Sequence, residues 1–138
     1  MEEYAFSIAN DGVQIEPLQE ELQRTLQATD VRLKTIYSLN VALGECLENI
    51  IQHAYQDSDR HAIEVHCAVS DSEIELRVSD DGRPFDLTQF PTLDTTVPGS
   101  DRVFTGQGIH LIRKLMDAIT YERRDGRNIL TMRKRIGK

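Results

Sequence analysis

At 138 residues the chain suits about one domain with its own hydrophobic core, and 39% hydrophobic against 28% charged residues reads as globular rather than disordered. A net charge of −7 argues against a whole-surface nucleic-acid binder, and no apolar run approaches the ~18 residues of a membrane span. The charge is uneven: residues 1–100 hold 6 Lys/Arg against 19 Asp/Glu, net −13, while residues 101–138 hold 10 against 4, net +6.

In chain order, the opening Tyr4–Ala9 alternates as a strand does. It is acidic where a secretion signal is basic, and Cys46 and Cys67 lack metal-ligand spacing, so both are expected to be reduced, buried thiols of a cytoplasmic protein. Glu16-Pro17 opens a helix carrying Leu18, Leu22 and Leu26, with Pro in its first turn. A longer helix is predicted from about Arg32 to Tyr55, ending in the polar cluster Gln56–Arg60. Two alternating strands follow, His61–Ser70 and Glu73–Ser79, joined by Asp71-Ser72. From Asp80 to Thr105 the pattern lapses. A helix resumes over about Gly108–Ala118, and Ile119–Arg124 and Asn128–Arg135 close the chain as a hairpin around Asp125-Gly126. The order β-α-α-β-β-loop-α-β-β predicts one α/β two-layer domain, 1–138, with a mostly antiparallel sheet and helices on one face. The basic end, Arg123, Arg124, Arg127, Arg133, Lys134, Arg135 and Lys138, reads equally as a lure for an acidic partner or as a solvated strand edge.

Three segments carry chemistry. On the long helix, at ~100° per residue, Asn49 lies ~40° from Glu45 and Gln52 ~20° to its other side, opposite Leu39, Leu43, Cys46, Leu47 and Ile50. Ordinary amphipathicity explains such a stripe. Equally, a carboxylate accepts protons and an amide oxygen ligates a hard cation. Asp80-Asp81-Gly82 is a turn sequence, but it stands where a core strand ends and no hairpin closes. A carboxylate fixed there accepts a hydrogen bond from an exocyclic amine, and Gly82 lets a flat ligand approach the backbone. Gly106-Gln107-Gly108-Ile109 leads into a helix whose N-terminal amides suit phosphates. It is neither a dinucleotide fingerprint nor a P-loop.

In this order the three segments resemble the GHKL ATP-binding superfamily, and within it the stand-alone anti-sigma-factor serine/threonine-protein kinases of bacteria, from about Leu39 to Arg133. Ala42–Tyr55 resembles the N box; Val78, Asp80, Gly82 and Phe85-Asp86 the G1 box; Gly106–Asp117 the G2 box. The resemblance implies a Bergerat-type fold with an ATP lid over about 86–105. It implies that Asn49 ligates Mg²⁺, that Glu45 is the general base and that Asp80 reads the adenine amino group. ATP would also meet Gly82, Phe85, Arg102, Gly106, Gln107, Gly108 and Ile109, with Thr131 offering a hydroxyl near adenine. Thr105 replaces a glycine common in relatives, and Pro84 stiffens the turn after Gly82.

By the same resemblance the cofactors are ATP and Mg²⁺. The implied partners are an anti-anti-sigma (STAS-type) protein, a sigma factor, or both; the resemblance also implies a homodimer, with no direct nucleic acid and no membrane. A nucleotide-gated regulator that binds its partner without phosphorylating it fits the same residues, except that Glu45 is then dispensable. The catalytic part of a histidine kinase fits poorly, because none of His53, His61, His66 and His110 sits on a spare helix.

Overall fold

Alternating apolar residues build the sheet. In the computed structural model, which describes residues 2–89 and 109–136, strands β1 (Glu2–Ala9), β2 (Ala62–Val69), β3 (Glu73–Asp80), β4 (Ala118–Arg124) and β5 (Arg127–Arg135) form one sheet. Its order is β1-β2-β3-β5-β4, and every neighbouring pair is antiparallel. The β4–β5 turn places Asp125 at φ 54° and Gly126 at φ 76°, the left-handed pair that a two-residue hairpin needs.

One face of the sheet is greasy. Ile63, Val65 and Cys67 of β2, Ile74, Leu76 and Val78 of β3, and Leu130 and Met132 of β5 are buried against the helices. Helix α1 (Ile15–Gln27) contributes Leu18, Leu22 and Leu26, one turn apart. Helix α2 (Leu33–His53) contributes Ile36, Leu39, Leu43, Cys46, Leu47 and Ile50. The two helices are stitched by reciprocal bonds: Gln19 Nε2 donates to the Asn40 carbonyl at 2.8 Å, and Asn40 Nδ2 donates to the Gln19 carbonyl at 3.0 Å. A third helix, α3, covers residues 109–115 and buries Ile109 and Ile112. The antiparallel α/β sandwich expected from the element order is therefore the observed one. Both cysteines are free and buried, and burial pushes both thiols well above their ordinary range.

Most boundaries shift by one or two residues from expectation, and two of the shifts have a clear local reason. The third helix stops at residue 115 rather than near Ala118. There the Lys134 ammonium donates to the Leu115 carbonyl at 2.7 Å and the Asp117 N–H reaches the Arg133 carbonyl at 2.8 Å, so β5 captures the chain before another turn forms. Strand β3 runs one residue further, to Asp80, because Asp80 pairs with Asn128 across the ladder. That extra residue matters most.

Candidate functional site

Asp80 ends β3 on the core side and is 1% exposed. A buried carboxylate needs partners, and it has two: the Gly82 N–H at 2.9 Å and Asn128 Nδ2 at 2.9 Å, both on Oδ1. Burial pushes the Asp80 carboxyl up, while Asn128, the Gly82 amide and nearby Arg127 draw it part of the way back. Among the described residues, neither bond involves Oδ2.

The turn after Asp80 is clamped to the end of α2. The Arg83 N–H donates to the Ala54 carbonyl at 2.8 Å, and Arg83 Nε donates to the His53 carbonyl at 2.8 Å. The Phe85 ring stacks on His53, centroids 5.4 Å apart. A Cβ on Gly82 would lie 2.5 Å from the Ala54 carbonyl oxygen and 2.8 Å from Ala54 Cβ. The close approach that demands glycine is thus made by this chain's own helix end. The Asp80 charge also reaches the buried Cys46 thiol on α2, so strand end and helix are electrostatic neighbours.

On α2, Asn49 is buried and its Nδ2 donates to the Glu45 carbonyl at 2.7 Å. That bond fixes which end of the amide is donor and leaves Oδ1 as its acceptor. The Glu45 carboxyl is half-buried; burial first, and then the Glu48 charge, push it above the usual carboxylate range. Ile109 is fully buried in the core, so only its backbone is left for a ligand. The expected Arg102, Gly106, Gln107 and Gly108, with all but the first few residues of the expected lid, lie outside the described residues.

Thr131 is not brought to Asp80. It pairs with Arg77 and Thr120, whereas Asp80 pairs with Asn128, three residues away and of opposite parity. Strand side chains alternate, so Thr131 lies on the other face of the sheet. The residue beside Asp80 is Asn128, 4% exposed, which sequence reasoning passed over. Its Nδ2 donates to Asp80 Oδ1 and to the Arg83 carbonyl at 2.8 Å. Its Oδ1 accepts from the Phe85 N–H at 3.2 Å, from an Arg123 guanidinium N–H at 3.2 Å and from the Tyr121 hydroxyl. The signal was present in the alternation Asn128, Leu130, Met132, which places Asn128 on the apolar face. A cleft of about 680 Å³ bounded by Thr29, Arg32, Thr35, Ser70 and Arg135 lies beyond the opposite end of β3 and includes none of these residues.

An antiparallel sheet backed by helices, with a buried aspartate at a strand end beside an Asn-bearing helix, defines the class. Residues 8–134 match the histidine kinase-like ATPase domain, and the chain belongs to that family. Its relatives include the serine/threonine-protein kinase BtrW of Bordetella bronchiseptica, 33% identical over 102 residues, covering 70% of this chain and 68% of that protein. The serine-protein kinase RsbW of Listeria monocytogenes is 32% identical over 90 residues, covering 62% of this chain and 57% of RsbW; the chain thus spans just over half of the RsbW length. The crystal structure of the RsbU and RsbW domains of Rv1364c from Mycobacterium tuberculosis aligns over 98% of this chain and 32% of that one, with TM-score 0.70 and 15% identity. The SiaB–SiaC complex structure from Pseudomonas aeruginosa aligns over 96% of this chain and 89% of that one, with TM-score 0.60 and 16% identity. At those identities the two structures share the fold. No helix among the described residues is long and apolar enough to cross a membrane.

Proposed function

We propose that the chain is an ATP- and Mg²⁺-dependent serine/threonine-protein kinase that phosphorylates an anti-anti-sigma partner of the STAS type and thereby regulates a sigma factor. The observation that carries the reading is the buried Asp80, held through one oxygen by Gly82 and Asn128 in a turn bolted to the end of the Glu45–Asn49 helix. Kinship with the named kinases BtrW and RsbW supports the activity. The SiaB–SiaC neighbour, a complex of two proteins, accords with a protein substrate.

In this reading Asp80 Oδ2 accepts the adenine 6-amino group, and Phe85 flanks the base. Gly106, Gln107, Gly108 and the Ile109 amide receive the phosphates at the α3 N-terminus, with Arg102 on the terminal phosphate. The donor set fits Mg²⁺: the Asn49 amide is oriented by its bond to Glu45, and its oxygen is the hard, neutral ligand that such a metal takes alongside phosphate and water oxygens. When bound, the metal offsets phosphate charge. A serine or threonine hydroxyl oxygen bonds to the γ-phosphorus as the bond to the β,γ-bridging oxygen breaks and ADP departs. Glu45 takes the hydroxyl proton, and its raised pKa brings it closer to a useful base. Positioning and electrostatics do the rest.

The test uses labelled ATP, Mg²⁺ and candidate anti-anti-sigma domains from the same genome, scored for serine or threonine phosphate. Glu45→Gln is expected to lower transfer by about a hundredfold or more while ATP affinity in calorimetry stays within about twofold. Transfer near the wild-type rate would refute Glu45 as the base; no transfer by the wild-type chain to a partner that it binds in the presence of ATP would favour the second reading, a nucleotide-gated binder in which Glu45 is dispensable.

A further inference from the structure

We infer that Asn128 is a positioning residue that sets base selectivity by presenting Asp80 in one orientation, an inference that rests on Asp80 reading the adenine amine. The argument begins with saturation. An asparagine side chain has two N–H donors and one carbonyl oxygen. Both donor directions of Asn128 are taken, by Asp80 Oδ1 and the Arg83 carbonyl. Its oxygen receives three donors, the Phe85 N–H, the Tyr121 hydroxyl and Arg123. Nothing is left for a ligand. These partners also fix the amide, because a flipped side chain would set its oxygen against two acceptors and its N–H groups against three donors.

The network ties together parts that are distant in sequence. The Arg83 and Phe85 contacts hold the turn after Asp80, while Tyr121 and Arg123 come from β4. Arg123 also donates to the Gly82 carbonyl at 2.8 Å. With Oδ1 of Asp80 held by Asn128 and Gly82, the carboxylate plane is set, and among the described residues Oδ2 is the acceptor left over. A freely turning carboxylate would meet water or a donor equally well from either oxygen. A fixed one rewards a ligand whose N–H lies in one place, which is how buried, oriented acceptors discriminate.

The experiment compares ATP with purine riboside triphosphate, which lacks the 6-amino group, by calorimetry in the presence of Mg²⁺. The wild-type chain should prefer ATP. In Asn128→Ala, ATP affinity should fall by about tenfold or more while that of purine riboside triphosphate moves by less than about twofold. Tyr121→Phe removes one donor to Asn128 without touching Asp80, and should shift the preference the same way by a smaller factor. It carries the test alone if Asn128→Ala does not fold. Equal losses for both nucleotides in the variants, or an undiminished preference for ATP, would show Asn128 to be only a packing residue and overturn the inference. A wild-type chain that binds the two nucleotides alike would instead overturn the adenine-reading role of Asp80, and the inference with it.

Discussion

Gly82 is held to the smallest side chain by its neighbour Ala54. A glycine beside a carboxylate suggests room for a flat ligand, but the atoms that would strike a Cβ are the Ala54 carbonyl oxygen at 2.5 Å and Ala54 Cβ at 2.8 Å. That carbonyl also accepts the Arg83 N–H, so it cannot retreat without breaking the clamp between the turn and α2. Gly82→Ala should destabilise the protein by about 1–3 kcal/mol through overpacking, seen as a lower urea midpoint at unchanged slope. A midpoint equal to wild type would mean that the α2 end yields freely. The relation of Glu45 to Asn49 was legible because one helix fixes it by angle alone. Alternation puts Asn128 on the apolar face, but its bond to Asp80, 48 positions away, comes from register, which local spacing does not carry. Thr131 is parted from Asp80 by parity, which the buried Leu130 and Met132 beside it already encode.

Among the elements, the junction where α2 ends and β2 begins has its own titration. His61 Nε2 sits 2.9 Å from Asp57 and Nδ1 3.3 Å from Asp81, and the Tyr55 ring stacks on the imidazole at 4.6 Å. The bonds to Asp57 and then Asp81 raise the His61 pKa above the ordinary 6.5. Bonding to His61 lowers that of Asp57. For Asp81, burial pushes upward, but the bonds from His61 and Tyr55 together prevail and the net shift is down. A raised imidazole pKa means the folded state binds the proton more tightly. Its stabilisation is therefore complete below the unfolded value near 6.5 and fades as pH rises through the folded value. The carboxylates act in the opposite window, stabilising above about 3.8 and losing that contribution as pH falls below it. Melting curves from pH 5 to 9 should show wild type losing its advantage over His61→Gln as pH rises past about 6.5; a constant difference across that range would refute the linkage. The elements themselves were largely readable, since periods of 2 and 3.6 are local. The basic C-terminal residues were not, because charge on paper does not reveal engagement. Arg123 binds the Gly82 carbonyl, Arg127 the Ser79 hydroxyl, Arg133 the Glu75 carboxylate and Lys134 the Leu115 carbonyl. Much of the apparent lure for an acidic partner is thus fastening for β4 and β5.

Across the whole molecule, the proposed ligand is a shared contact for segments far apart in sequence. Asp80 ends a strand, Asn49 lies on a helix, and the glycines precede α3, so a nucleotide touching all three binds only the folded arrangement. Mass action then predicts stabilisation of about 2.7 kcal/mol at a hundredfold excess over the dissociation constant. For a chain of this size that is a rise of roughly 8 °C in melting temperature. The rise should shrink when EDTA removes Mg²⁺, since the phosphates then face Asn49 without the cation that joins them. Asp80→Asn replaces the acceptor pair by an amide whose nitrogen confronts the adenine amine, so the ATP-induced rise should fall below about 2 °C, while the ligand-free protein melts close to wild type. An equal rise in wild type and Asp80→Asn would place the nucleotide elsewhere on the molecule; no rise in either would remove the nucleotide from the account.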